Sequence, residues 1–422
     1  MRVWLVKIGE PLPTDTGDPR PGRTWLLAEA LKRRGHEVTW WTSSFDHRLN
    51  NHRAVGLKQA VVDAGKIDLQ VLKSPGYRAS MSVGRQFDHL IVGIKFFLLA
   101  RKQERPDLIV SSLPTLELCA VTRRFGKAWG IPYIVDIRDL WPDIYIRAFP
   151  KKFRPLLTPL IWPLKMIARL TCRDASAIMG VSQPFVDWGL AKAGRASTPL
   201  DVEVPLGYPA PATYKDQSRT EEFWSSQGVG RGDQCISFLG TINKIVDYAA
   251  VFEVASRLAE EFPSVKFVMA GHGDGANRLL KLSRSRPNII VPGWIGKSAI
   301  QDLLERSILG LLPYVPSSDF LMSIPNKVSE YLSAGVPIAT TLQDSEVSRL
   351  IDQHGCGFTY SRFDADALEQ IVRRVIGAPD DERNGWQVRA KQLYEARFRA
   401  EVVYDQCVSN LEASVKKFRT LK

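Results

Sequence analysis

A chain of 422 residues, 45% hydrophobic and 24% charged, has the balance of a soluble globular protein with room for two or three domains. Its net charge of +12 suits an anionic partner: a nucleotide-linked substrate, a membrane surface or nucleic acid. Five scattered cysteines without a C-x-x-C pair argue against a disulfide scaffold, and no histidine stands at metal-ligand spacing from a cysteine.

Val3 to Ile8 is an apolar run that predicts a first strand, with no signal peptide expected before it. A Gly/Pro-rich loop, Gly9 to Arg23, leads into helical spacing over Trp25 to Arg34, and Val38 to Thr42 predicts a second strand. In that loop Gly17 offers close backbone approach to a phosphate, and Arg20 and Arg23 offer charge. Leu90 to Ala100 is too short to span a bilayer and predicts a buried helix. Strands at Leu108–Ser112, Tyr133–Ile137 and Ala177–Val181 follow, each preceded by a helical stretch. Such alternation predicts a parallel sheet covered on both faces.

Val135 to Asp143 reads V-D-I-R-D-L-W-P-D, placing Arg138 and Asp139 just beyond a strand's carboxyl end, where functional groups gather. In the stretch Phe149 to Arg173, six basic residues alternate with large apolar ones. That mixture suits either an anionic membrane surface or a core helix with a solvated basic face.

Four prolines between Ser197 and Asp216 mark a linker. The alternation then restarts, with predicted strands at Ile236–Leu239, Val265–Ala270, Ile289–Val291, Leu309–Pro313 and Pro337–Thr341. The expected division is residues 1–196, a linker over 197–216, a second α/β domain over 217–383 and a helical segment over 384–422. Gly240, Thr241 and Lys244 lie in the glycine turn F-L-G-T-I-N-K, with Lys244 available to a phosphate. M-A-G-H-G-D-G, Met269 to Gly275, is a second tight turn, and its His272 fits either an acid/base or a structural role.

The most organised stretch is S-I-P-N-K-V-S-E-Y-L-S-A-G-V-P, Ser323 to Pro337. Ser323 is a candidate cap, Pro325 suits a first turn, and Gly335 with Pro337 stops the helix. A helix N-terminus beside Lys327 suits a phosphate, and the carboxylate of Glu330 can accept from two sugar hydroxyls. Phosphate and ribose together describe a nucleotide. Walker, H-E-x-x-H and Ser-His-Asp signatures are absent from the sequence, as is a recognised nucleic-acid module.

Taken together, L-A-E-A-L-K-R-R-G-H-E-V (Leu27–Val38), P-D-L-I-V (Pro106–Val110), V-P-L-G-Y (Val204–Tyr208), G-H-G-D-G, V-P-G-W-I (Val291–Ile295) and E-Y-L-S-A-G-V-P (Glu330–Pro337) resemble the retaining glycosyltransferases of family 4. R-D-L-W-P with P-N-K-x-x-E-Y-L resembles the subgroup that adds amino or deoxy sugars in bacterial surface-polysaccharide synthesis. The resemblance implies a GT-B fold: two Rossmann-like α/β domains with parallel sheets facing across a cleft. It implies a nucleotide-diphosphate sugar on the second domain, with Glu330 at the ribose and Ser323, Asn326 and Lys327 near the diphosphate. Ile295 would meet the base through its backbone, and Gly17, Gly240 and Thr241 would border the phosphates. No cofactor and no metal are expected, because basic side chains and the helix N-terminus take over the metal's charge role.

The family pattern of Glu, seven residues, Glu has Met322 at its first position here. The arginine usual after the first glycine turn is Thr241, and the usual histidine falls at Arg138. Lys244 and Lys327 are the candidates to neutralise the leaving group, with Arg138 and Asp139 as further catalytic candidates. The expected partners are the donor, a saccharide or lipid-linked acceptor, and an anionic membrane surface met through 149–173, with no nucleic acid. The implied location is the cytoplasm, at the inner face of the cell membrane. A sugar-nucleotide epimerase and a non-catalytic sugar-nucleotide-binding protein remain alternative readings.

Overall fold

A computed structural model of the chain describes residues 1–16, 19–47, 49–53, 60–62, 67–79, 82–147, 152, 154–211 and 217–420. It forms two compact units: residues 1–205 with 403–422, and residues 206–402. The helical segment expected over 384–422 is therefore divided, its last part belonging to the first unit.

Unit 1 begins with β1 (Arg2–Val6), α1 (Arg23–Arg33) and β2 (Glu37–Ser43), then a small antiparallel pair, β3 (Phe45–Asp46) and β4 (Asn51–His52). β5 (Ala60–Val62), β6 (Ile67–Leu72), α2 (Val83–Ala100), β7 (Leu108–Leu113), α3 (Leu116–Trp129) and β8 (Tyr133–Ile137) follow. α4 (Asp143–Arg147), α5 (Arg154–Asp174), β9 (Ala177–Gly180), α6 (Gln183–Ala193) and β10 (Val202–Glu203) complete it. The sheet order is β10-β9-β8-β7-β1-β2-β6-β5, parallel throughout except for β5 against β6. β2 continues the order on one side of β1 and β7 on the other, so the switch point lies at β1 and β7, where ligands bind in such sheets. In the core beside β1 the Trp4 ring meets Trp41 at 5.4 Å and Trp129 at 5.9 Å, both edge-on, a favoured geometry for ring pairs.

Two expectations change here. The stretch read as a linker begins as ordered structure: β10 pairs with β9, and Asp201 holds the Thr198 and Ile178 amides, each at 2.8 Å. α2 is not a buried helix, because Leu90, Ile94, Leu98 and Leu99 are exposed while Val92, Phe96 and Ala100 are buried.

Unit 2 contains α7 (Gln217–Ser226), β11 (Gln234–Leu239), α8 (Ala249–Leu258), β12 (Val265–Ala270), α9 (Ala276–Ser283), β13 (Ile289–Gly293), α10 (Lys297–Arg306) and β14 (Ser307–Leu312). It continues with α11 (Ser318–Met322), α12 (Asn326–Ser333), β15 (Ile338–Thr340), α13 (Glu346–His354), β16 (Gly357–Thr359), α14 (Ala365–Gly377) and α15 (Asp380–Arg397). The sheet is wholly parallel in the order β13-β12-β11-β14-β15-β16, with its switch point at β11 and β14. α16 (Ala400–Thr420) belongs to unit 1 from Val403 onward, tied there by Arg34 and His36 to Glu412 at 2.7 and 2.8 Å.

Candidate functional site

In unit 2 the turns after β11, β12 and β13 lock together backbone to backbone. The Gly240 amide donates to the Ala270 carbonyl at 3.0 Å, Ile242 to His272 at 3.0 Å, and Gly271 to Gly293 at 2.7 Å. Gly271 has φ +146°, and a Cβ there would lie 1.7 Å from the Gly240 carbonyl oxygen, so only glycine fits. The turns that the sequence marks with glycine thus form one surface at the carboxyl ends of three strands.

α12 stands over that surface. Tyr331 is fully buried, and its hydroxyl donates to the Ser237 carbonyl at 2.8 Å while accepting the Leu239 amide at 3.1 Å. That pillar fixes the helix against the end of β11. The helix starts two residues later than the sequence suggested. Pro325 is the N-cap, and Ser323 makes no cap because it closes the preceding short helix α11. Its end is as expected: Gly335 has φ +77°, with Gly335 N–H to Leu332 and Val336 N–H to Tyr331, the Schellman pattern.

On α12, Lys327 Nζ donates to Glu330 Oε2 at 2.8 Å. The Glu330 side chain is 1% exposed and that of Lys327 20%. Glu330 Oε1 also accepts from the Tyr208 hydroxyl at 3.4 Å, a partner the sequence reading missed. A Cβ on Gly240 would sit 3.7 Å from Lys327 Cε, which places the lysine stem over the first glycine turn.

The other sequence candidates are more dispersed. Asn326 is exposed at the first turn of α12, Ser323 is half-buried, and Thr241 is exposed just past Gly240. Ile295 is buried at 6% exposure, beside the exposed Trp294. Exposed Lys244 lines a cavity of about 600 Å³ with Asp247, Arg278 and Arg362; its walls include neither Lys327 nor Glu330. His272 is exposed, and its carbonyl serves the turn. Gly17 lies outside the described residues.

In unit 1, Arg138 and Asp139 follow β8 as expected, but Arg138 is already engaged. Its guanidinium donates to Asp136 at 2.6 Å, to the Thr24 hydroxyl at 2.9 Å and, very closely, to Glu10. Arg23, expected as a free charge in the loop, is buried and paired with Asp136 at 2.9 Å. It also donates to the Pro205 carbonyl at 2.9 Å. Burial alone would push the Asp136 carboxyl up, but the Arg138 and Arg23 guanidiniums outweigh it and hold it well below the usual carboxylate range. Beside them is a cavity of about 320 Å³ lined by Lys7, His47, Arg85, His89, Arg138 and Asp139, among others, at the switch point of the sheet. Burial and then the nearby Arg138 charge lower the Lys7 ammonium to about 8. Among the described residues no group of three or more His, Cys, Asp or Glu is placed to hold a metal ion.

Two Rossmann-like units in one chain, each with its loops at the carboxyl ends of a parallel sheet, define the GT-B class of glycosyltransferases. Residues 23–202 match the glycosyl transferase 4-like domain and residues 233–378 match glycosyl transferases group 1. The chain belongs to the family-4-like glycosyltransferases and is an enzyme of that kind. Its fold is similar to that of Anabaena HepE, solved in complex with UDP, with TM-score 0.66, 14% identity, and 98% and 99% of the two chains covered. It is also similar to sucrose-phosphate synthase from Thermosynechococcus elongatus, with TM-score 0.70, 12% identity and 97% of each chain covered. For the trehalose 6-phosphate synthase of Burkholderia multivorans the values are 0.69, 13%, 98% and 99%. No curated protein matches the sequence.

Proposed function

We propose that the enzyme transfers a sugar, with retention of configuration, from a nucleotide-diphosphate sugar held on unit 2 to a saccharide acceptor, lipid-linked and part of cell-surface polysaccharide synthesis. The observation that carries the donor reading is the Lys327–Glu330 pair, set on a helix N-terminus above the Gly240 turn at the switch point of the sheet. The first-turn amides of α12 and Lys327 would take the diphosphate, with Gly240, Thr241, Ser323 and Asn326 around it. Glu330 would accept from the ribose hydroxyls, and the Ile295 backbone would meet the base. A uridine donor has support from Anabaena HepE, solved with UDP and with UDP-glucose. An amino or deoxy sugar is the sugar class implied by the resemblance of R-D-L-W-P and P-N-K-x-x-E-Y-L to that subgroup.

Among the described residues no side chain stands out as a nucleophile, so we favour front-face attack. The bond between the anomeric carbon and the β-phosphate oxygen breaks, and the acceptor oxygen bonds to the same face. The acceptor's hydroxyl proton passes to the departing phosphate oxygen. Lys327, with Lys244, would stabilise the charge developing on the diphosphate, and no metal is called for in this scheme. Arg138 and Asp139 line the unit 1 cavity and are proposed to position the acceptor. The basic segment 149–173 is proposed to meet an anionic membrane; of it, residues 149–151 and 153 lie outside the described residues.

A thermal-shift screen against nucleoside diphosphates and their sugars tests the donor reading, because a bound ligand raises the melting temperature by mass action. Uridine compounds are expected to shift it most. No shift with any of them would overturn the reading. Conversion of the donor sugar without an acceptor would point to an epimerase instead.

A further inference from the structure

We propose that unit 2 carries a second anion site, apart from the donor helix, that takes a small amphipathic anion: a flat or apolar body with one phosphate or carboxylate. The site is the cavity of about 600 Å³ lined by the starts of α8 and α9, a size that suits a small molecule. Its walls include none of Gly240, Lys327 and Glu330, so the proposal goes beyond the donor reading.

The apolar part of the wall comes from both helices and the turn before them. Val246, Phe252 and Leu279 are buried at 6%, 7% and 2% exposure, and Leu282, one turn after Leu279 on α9, is 43% exposed. The Arg286 guanidinium lies 5.6 Å from the centroid of the Phe252 ring, a cation set against an aromatic face. A flat body entering beside Phe252 would meet apolar side chains on one side and a cation on the other.

Charge selects the head group. Arg362 is neutralised by Asp247 at 2.6 Å, so that pair contributes no net charge. Arg286 donates only to uncharged oxygens, the Ser256 hydroxyl and the Leu282 carbonyl, each at 2.8 Å, and the more distant Ser285 hydroxyl at 3.3 Å, so its charge is not cancelled. Among the described residues the side chains of Lys244 and Arg278 make no hydrogen bond and no ion pair. Against these three cations the wall offers one further acid, the exposed Asp274. Even with Lys244 given to the donor diphosphate, Arg278 and Arg286 outnumber it. Gly275 begins α9 without a side-chain cap, which adds the positive end of a helix to the same wall. On α8 the corresponding role is filled from within, since Asp247 accepts the Ala249 amide at 3.1 Å. A neutral ligand would leave these cations unpaired, and a bare inorganic anion would leave the apolar wall wet.

Calorimetric titration of the full chain with 1-naphthyl phosphate and 1-naphthoate tests the site, with 1-naphthol and inorganic phosphate as the neutral and headless controls. At least one of the two amphipathic anions is expected to bind about tenfold or more tightly than either control, and the tighter of them names the head group. Arg278→Ser should weaken that binding about tenfold, and Leu282→Gln should weaken it too. Both side chains are exposed, so the melting temperature should not change. Excess UDP should leave the binding as it is. No binding of either anion, equal binding of 1-naphthol, or wild-type affinity in both variants would overturn the proposal. So would displacement by UDP, which would make the cavity part of the donor site. A dimer in sedimentation velocity that Leu282→Gln abolishes would assign the groove to a second copy and overturn it as well. A separate titration with UDP alone reads the donor site, so the two readings can fail independently.

Discussion

Lys327 and Glu330 neutralise each other at 2.8 Å, one turn apart on α12, with the carboxylate buried and the ammonium facing the Gly240 turn. A diphosphate arriving at this helix would compete with Glu330 for the same ammonium, and ribose hydroxyls would replace the donor that Glu330 loses. Lys327→Ala should therefore cut kcat by about 100-fold or more, as expected for loss of a preorganised charge on a leaving group. It should also destabilise the fold by about 1–3 kcal/mol, because Glu330 stays buried without the cation that neutralises it. Steady-state turnover and chemical denaturation measure the two effects. Wild-type turnover in this variant would remove Lys327 from the leaving-group role.

Glu330→Gln separates ribose recognition from phosphate chemistry. The amide keeps the shape and one acceptor oxygen but loses the charge that strengthens both hydrogen bonds. Donor affinity should fall about 10- to 100-fold, while kcat at saturation changes less. Calorimetric titration with the nucleoside diphosphate alone reads the binding term. An unchanged dissociation constant would take Glu330 out of the donor site.

Much of this site is legible in the sequence because its signals are local. Gly335 and Pro337 mark where a helix ends, and the glycines after β11 and β12 mark turns whose φ values require them. The alternation I-D-L-Q-V-L at Ile67–Leu72 also carried a strand signal, and the strand reading passed over it. Long-range pairing is a different matter. Arg23 pairs with Asp136, and Arg138 bridges Asp136 to Glu10, only because β1 and β8 bring their carboxyl ends to one place in the sheet, with Arg23 and Asp136 113 residues apart. Nothing in the loop sequence distinguishes a buried arginine from a solvated one. Likewise, the apolar character of α2 says that it can be buried, and only the packing shows that one face is not.

Gly271→Ala tests whether the interlocked turns hold the site. The new methyl would overlap the Gly240 carbonyl at 1.7 Å, so the two turns would have to part. Backbone strain of this kind costs on the order of 1–3 kcal/mol, and the hydrogen bond from the Gly271 amide to Gly293 would be strained with it. The variant should melt several degrees lower and lose most of its affinity for nucleotide. Ala on Gly232, where a Cβ meets nothing within 4 Å, should leave both unchanged. Equal behaviour of the two variants would show that the turns are not interlocked in solution.

Lys7 allows a test by pH. Its ammonium falls from an ordinary 10.5 to about 8, first through burial and then through Arg138. In the unfolded chain the residue keeps its proton up to the ordinary value. Between about 8 and 10.5 the unfolded state therefore binds more protons, and this group makes stability rise with pH across that window. Below about 8 both states are protonated and the full burial cost remains. Lys7→Met should thus be more stable than wild type at neutral pH, by on the order of 1–3 kcal/mol. That advantage should shrink as pH rises toward 10.5. Denaturant unfolding of both proteins at several pH values gives the difference directly, and the other titrating groups cancel. A difference that does not vary with pH would mean that Lys7 keeps an ordinary pKa beside Arg138.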